Sequence, residues 1–549
     1  MKKNWWKESV IYQIYPRSFN DSNGDGIGDL RGIIQKLDYL QSLGVDILWL
    51  SPIYQSPNDD NGYDISNYYE IMDEFGTMED FDELLAGVHE RGMRLLMDLV
   101  VNHSSDEHEW FEKSRASKDN PYRDYYYWRK GKDGGPPTNW RSFFSGSAWE
   151  YDEQTDEYYL HLFTKKQPDL NWENPKVRKA IYKMMRFWLD KGVDGFRMDV
   201  ISLISKRFPF ADVDTSDFNQ AVETAYANGP RVHEFLQEMY DQVMGKYDVM
   251  TVGEGPGINR EVANLYVGEH REELNMIFHF GHMFIDHGPD GRFDYVPSNF
   301  LEFKKVFRDW DQTIGEEGWI NIFLDNHDFP RMVSRWGDDG VYRIPSAKLL
   351  ATLILTLRGT PCIYQGSEIG MTNVAFDSIE DYRDVEILNF YEECKANGGD
   401  LEAFLKAVHI QGRDNVRTPI HWDASANGGF TESTPWIKVN PNYPQINVEN
   451  ALEDPQSIFY FYQQMLAYRK ANPTLIYGRY EELEIGHSQL FQYRRSDEQG
   501  EYIVVLNFGE TPVDFNLPEG QDWHLEMCNY SSEEERRLGA WEARVYKAG

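Results

Sequence analysis

Arg197 and Asp199 stand two residues apart in GFRMDV (195–200), interleaved with Phe196, Met198 and Val200. In an extended strand alternate residues share a face, so the two charges point the same way. Such a pair is costly in a core and useful at a strand end. There a guanidinium keeps the neighbouring carboxylate ionised at neutral pH, as a nucleophile requires. An ordinary strand-end salt bridge would look the same within this hexapeptide. Other apolar stretches also end in polar groups. DLVVNH supplies Asp98, Asn102 and His103, TVGE supplies Glu254, and FLDNHD supplies Asn326, His327 and Asp328.

The elements that must present these residues alternate along the chain. Strands are expected at 10–16, 47–50, 94–101, 195–200, 249–254, 276–280, 321–326 and 361–365, each apolar on both faces, as parallel strands under helices are. Amphipathic helices lie between them. The clearest runs from Pro175 to Lys191, with Asn174 as N-cap, Pro175 at the first position and Gly192 as the stop. Its Val177, Ile181, Met184, Trp188 and Leu189 make one apolar stripe.

Eight such units predict an α/β fold, a (β/α)8 TIM barrel with its chemistry on the loops after the strands. The barrel is expected over 1–103 and 175–479. Residues 104–174, rich in Tyr, Trp, Gly and Asp, are an inserted small domain after strand three, and about 371–450 form a further insertion after strand eight. From 480 to 549 the segments FQYRR, YIVVLNF, PVDFNL and WEARVY predict a C-terminal antiparallel β-sandwich. A lone carboxylate at a strand end is more often structural. Asp199, Glu254 and Asp328 on three barrel segments, with two histidines, form the set that glycosidic cleavage needs: nucleophile, acid/base and stabiliser.

Composition bounds the partners. At 549 residues the chain is too long for one core. A net charge of −36 argues against nucleic acid and anionic membranes and fits a neutral substrate. Aromatic residues make up 15%, and Trp and Tyr stack on sugar faces. Three widely separated cysteines argue against a disulfide framework or a zinc site. MKKNWWKE has no continuous apolar run, so a cytoplasmic protein is expected, acting as a monomer.

DLVVNHSS (98–105), GFRMDVISLI (195–204), TVGE (251–254) and FLDNHD (323–328) resemble, in order, the four signature regions of the α-amylase superfamily, glycoside hydrolase family 13. QPDLNW (167–172) resembles the fifth region of its oligo-1,6-glucosidase branch, and YQGSEIGMTN, EDYRDVEILNFY, RTPIHWD and PWIKVNPNY are similar to further segments of that branch. The resemblance implies Asp199 as nucleophile, Glu254 as acid/base and Asp328 as transition-state stabiliser, with His103, Arg197 and His327 on the sugar at the cleaved residue. It places Asp60, Tyr63 and Arg413 where branch members cap the non-reducing glucose, closing the pocket at one sugar. Phe144, Phe163 and Gln167 are candidates for the pocket wall. Val200, directly after the nucleophile, is similar to α-1,6-acting members, whereas α-1,4-acting members carry smaller or polar residues. A double displacement then requires the Asp199 and Glu254 carboxyls to lie roughly 5 Å apart.

DSNGDGIGD (21–29) departs from an EF-hand, because Gly32 stands where a bidentate glutamate is needed. It is similar to the branch's loop for one structural Ca²⁺ (or Mg²⁺), held by Asp21, Asn23, Asp25, the Ile27 carbonyl and Asp29; no organic cofactor is implied. Gly255, Ser367 and His421 depart from commoner branch residues. VFRDWDQT (306–313) lacks the arginine-rich RLDRD-like motif of sucrose isomerases. The expected activity is exo-hydrolysis of α-1,6 ends of isomalto-oligosaccharides, panose and short dextrans. The alternatives are an α-1,4-glucosidase or transglucosylase on maltose-type sugars or sucrose, and a non-catalytic relative. The last would have lost these carboxylates.

Overall fold

Each expected barrel strand forms, six of them trimmed, β2 as expected and β8 shifted by one residue: β1 Ile11–Ile14, β2 Ile47–Leu50, β3 Arg94–Leu99, β4 Gly195–Met198, β5 Met250–Glu254, β6 Met276–Phe278, β7 Asn321–Ile322 and β8 Thr360–Tyr364. The computed structural model describes residues 3–530 and 536–549. The strands are parallel neighbours in the order β6-β5-β4-β3-β2-β1-β8-β7, and a parallel bridge between Ile277 and Ile320 closes the ring. Gly195 shows why residue type matters at a crossing: at φ 148°, a Cβ there would stand 1.9 Å from the Met250 carbonyl oxygen. Only glycine lets β4 and β5 approach this closely.

The helix Pro175–Lys191 has the limits its sequence dictates. The Asn174 side chain accepts the Lys176 N–H, and Gly192 ends the helix in the left-handed region at φ 108°. Its whole apolar stripe is buried, and Trp188 Nε1 donates to the Tyr68 carbonyl at 2.9 Å. β7 is shorter than the expected 321–326. From Phe323 the chain curls out of the sheet, held by Asp325, whose carboxylate accepts the Met332 N–H and the Ser367 hydroxyl.

Residues 104–174 hold a helix, Glu109–Ala116, and a three-stranded antiparallel sheet of Trp128–Arg129, Trp149–Asp152 and Glu157–Leu160. The stretch after β8 is helical, with Val385–Ala396, Leu401–Gln411 and Asp414–Arg417. At the C-terminus β9 Arg479–Glu482, β10 Leu490–Ser496, β11 Glu501–Asn507, β12 Trp523–Cys528 and β13 Ala543–Ala548 form one antiparallel sheet, ordered β9-β10-β11-β13-β12. Phe491, Tyr493, Val504, Leu506 and Val545 join the barrel-side core, while Leu490, Ile503, Val505 and Tyr546 pack with Phe515 and Leu538 under a two-stranded sheet. PVDFNL contributes only Val513–Asp514 as strand, and Arg479–Glu482, Trp523–Cys528 and the short Arg537–Leu538 are strands outside the expected segments. Among the described residues, no helix is long and apolar enough to cross a membrane.

Candidate active site

The C-terminal ends of the barrel strands open into a cavity lined by Asp60, Tyr63, His103, Phe144, Phe163, Asp199, Val200, Glu254, Asp328 and Arg413, among others. β3, β4 and β5 lie side by side, with Asp98 paired to Arg197 and Gly253 to Met198 in the parallel register. That register places three carboxyls around one cation. Arg197 Nη1 reaches Asp98 at 2.8 Å and Asp199 at 2.9 Å, and its Nη2 reaches Glu254 at 2.8 Å.

Arg197 favours the ionised form of Asp199, as expected, but it does so for three carboxyls at once. Burial, with the Glu254 and Asp98 charges, pushes the Asp199 carboxyl well above the usual range against the pull of Arg197. Glu254 is likewise raised, first by burial and against Arg197. Asp98 is raised by burial too, although Arg197, Tyr63 and Trp49 all donate to it. One buried guanidinium is shared among three buried carboxyls, so burial holds all three above the usual carboxylate range against its pull.

Asp328 behaves oppositely. Burial alone would raise it, but His327, Arg413, Arg417 and Arg292 together hold it well below the usual carboxylate range. His327 is itself pushed down to about 3 by burial and the nearby arginines, so it is neutral and the arginines carry the effect. Arg417 Nη2 and Arg413 Nη1 both donate to Asp328 Oδ1, at 2.9 and 3.3 Å.

Arg413 is fully engaged at the far end of the pocket. It meets Asp60 at 3.2 Å, Glu386 at 3.3 Å and Asp384 at closer range, and its guanidinium lies over the Phe144 ring at 4.6 Å. Asp60 is raised to about 7, by burial against the pull of Arg413 and Arg417. Phe163 meets Phe144 edge-on and tilts against His103, which burial pushes down to about 4.

Gln167, expected in the pocket wall, and Arg197 and His327, expected on the sugar, are not among the residues that line the cavity. Gln167, Arg197 and His327 are at most 1% exposed. Gln167 Nε2 donates to Asp60 at 3.1 Å, and His327 is sandwiched between Gln13, Tyr63 and Asp328. They orient the residues that line the cavity. Asp384, Glu386 and Arg417 complete this end of the pocket, and they lie within EDYRDVEILNFY and RTPIHWD. Their signal was present, but nothing in a linear sequence says that they meet Arg413.

The 21–29 loop closes on itself. Asp21 accepts the N–H groups of Asn23, Gly24 and Gly26, Asn23 accepts from Asp25, and Asp25 from Ile27. Asp29 caps the helix Leu30–Gln35 through the Gly32 N–H and also binds Ser22. In kind, these oxygens suit a hard divalent cation. Among the described residues no three His, Cys, Asp or Glu side chains converge as a metal-binding group, but each loop oxygen that accepts an N–H keeps a lone pair, so a cation would draw Asp21, Asn23, Asp25, Asp29 and the Ile27 carbonyl together.

Comparison with known proteins gives a consistent result. Residues 13–478 match the family described as alpha amylase, catalytic domain. The chain is 57% identical to the oligo-1,6-glucosidase of Parageobacillus thermoglucosidasius, with 100% of this chain and 99% of that protein covered. It is 55% identical, with the same coverage, to the oligo-1,6-glucosidase of Halalkalibacterium halodurans. Among solved structures it superposes on the isomaltulose synthase of Protaminobacter rubrum with a TM-score of 0.97 at 45% identity, covering 100% of both chains.

Proposed function

The chain belongs to the α-amylase catalytic-domain family, and from that premise we propose that it is a retaining, exo-acting oligo-1,6-glucosidase. It releases α-glucose from the non-reducing α-1,6 ends of isomalto-oligosaccharides, panose and short dextrans. The observation that carries this reading is the pocket itself: Asp199 and Glu254 on adjacent nitrogens of one guanidinium, facing a far end shut by Asp60, Arg413 and Phe144. Both carboxyls are anchored on one guanidinium and face the same cavity, which supports assigning them the nucleophile and acid/base roles of a double displacement.

Burial raises both Asp199 and Glu254, and Arg197 pulls both towards the ionised form. A bound glucoside separates their roles. The positive charge developing at the anomeric carbon favours ionised Asp199 and leaves the proton on Glu254. Asp199 attacks that carbon while Glu254 protonates the departing glycosidic oxygen, giving a glucosyl ester on Asp199 and a free shortened sugar. Glu254, now ionised, takes a proton from water as its oxygen attacks the same carbon, and the ester bond breaks to release α-glucose. Asp328, kept anionic by Arg413 and Arg417, grips the sugar hydroxyls more tightly as the ring flattens. Val200 narrows the leaving-group side and favours the α-1,6 linkage by shape.

A second reading, action on α-1,4 bonds or transfer to sugars, draws support from the likeness to an isomaltulose synthase. The higher identity to two oligo-1,6-glucosidases and the absence of an RLDRD-like motif in 306–313 weigh against it. Ca²⁺ or Mg²⁺ at 21–29 belongs to the proposal as a structural ligand only, on the chemistry of its oxygens. A cytoplasmic setting and a monomeric state belong to it as well, supported by the three free cysteines and the net charge of −36.

Proton NMR of an isomaltotriose digest tests the mechanism. Glucose appearing first as the α-anomer supports it, and the β-anomer appearing first refutes retention.

A further inference from the structure

The pocket mouth is crossed by contacts that the chemistry does not use. Residues 141–147 form a tight turn: Arg141 bridges Ser147, the Ser142 N–H donates to the Gly146 carbonyl at 3.0 Å, and Ser145 and Gly146 both take positive φ, 78° and 76°. Ser145 lacks glycine's freedom, so surrounding contacts must hold it there. The turn presents Phe144 to the pocket, seated on the Arg413 guanidinium.

Two other excursions grip this turn. From the helix Val385–Ala396, Glu393 accepts the Ser145 hydroxyl and faces Arg141 Nη2 at 3.6 Å, while Asn389 Nδ2 donates to the Phe144 carbonyl at 3.1 Å. From the segment after β4, the Tyr226 hydroxyl accepts the Arg141 N–H at 2.9 Å and donates to the Arg141 carbonyl at 3.1 Å. The mouth is thus a collar of three separate loops, tied together through residues 141–145.

We propose that Glu393 is a positioning residue for substrate affinity: by pinning Ser145 and Arg141 across the mouth, it keeps Phe144 on Arg413 and fixes the closed end of the pocket. This rests on reading that pocket as the site of one non-reducing glucose. Glu393 and Arg141 are 35% and 40% exposed, so their pairing adds little to global stability. A turn displaced by an ångström, by contrast, spoils the fit to a sugar.

The test uses Glu393→Ala and Glu393→Gln in the full chain. It compares KM and kcat on isomaltose, glucose binding by calorimetry, and thermal unfolding. Glu393→Ala is expected to weaken glucose binding and raise KM together, by roughly five- to twentyfold, with kcat within about twofold and unchanged thermal unfolding. Glu393→Gln still accepts the Ser145 hydroxyl and recovers most of the affinity. Unchanged glucose affinity in Glu393→Ala overturns the proposal, and so does a fall in melting temperature that tracks the loss of affinity. Calorimetry needs no turnover, so the two readings separate. A wild type that binds glucose but leaves isomaltose intact refutes the α-1,6 reading alone, and a wild type that binds no glucose refutes both.

Discussion

Val200 donates its backbone N–H to Glu254 Oε2 at 3.0 Å from a left-handed conformation, φ 35° and ψ 40°. A β-branched residue enters that region at a cost of roughly 1–3 kcal/mol, which the surrounding structure must offset. The residue after Asp199 therefore fixes Glu254 through its backbone, while its side chain lines the pocket. Val200→Thr keeps the shape and the backbone strain but makes the wall polar. Its isomaltose-to-maltose ratio of kcat/KM is expected to fall by about tenfold, measured on the two disaccharides side by side. An unchanged ratio would remove linkage selection from this side chain.

Asp199→Asn is expected to lower kcat by roughly 10⁴-fold while raising the melting temperature at pH 7. The sign follows from linkage. Burial raises the folded-state pKa of Asp199 above its unfolded value, so its favourable contribution is full below the unfolded pKa and is lost as pH rises through the folded one. At neutral pH the acid destabilises the fold and the neutral amide does not. Thermal melts of wild type and variant at pH 4 and pH 7 check this, and the gap should widen at pH 7.

Asp60 supplies a pH dependence of binding. Burial raises it to about 7, so across pH 6–8 it passes from neutral to ionised beside Arg413. The ionised form accepts charge-assisted hydrogen bonds from sugar hydroxyls, and KM should therefore fall as pH rises through that window. For stability the sign is opposite, because the contribution of a raised carboxyl is present below its unfolded pKa and fades towards 7. In Asp60→Asn the KM should be higher and flat over the same range.

For the 21–29 loop, the internal hydrogen bonds of Asp21, Asn23, Asp25 and Asp29 already close the turn. Added Ca²⁺ is expected to raise the melting temperature and chelation to lower it, with kcat unchanged in both cases. Differential scanning calorimetry with and without chelator reads this directly. A loss of kcat on chelation at constant stability would contradict a purely structural role.

The sequence made the barrel legible because its signals are local. The periodicity of eight apolar strands and the Asn174–Pro175…Gly192 punctuation need no knowledge of partners. Asp199 and Glu254 at strand ends, and Asp328 in the segment after β7, stand in equally local patterns. Three things were not. Trp523–Cys528 lies at an edge of its sheet with His524 and Glu526 exposed, so its apolar alternation is diluted. The sharing of Arg197 among Asp98, Asp199 and Glu254 depends on the register of three strands drawn from positions over 150 residues apart. The grip of Asp384, Glu386 and Arg417 on the far end of the pocket depends on where a long excursion folds back.

The most direct test of the α-1,6 exo reading is a side-by-side digest of isomaltotriose, maltotriose and sucrose, with products separated and glucose followed over time. Glucose released from isomaltotriose, with maltotriose and sucrose left nearly intact, is the predicted result. Preferential attack on maltotriose, or the growth of longer or isomerised sugars, would contradict it.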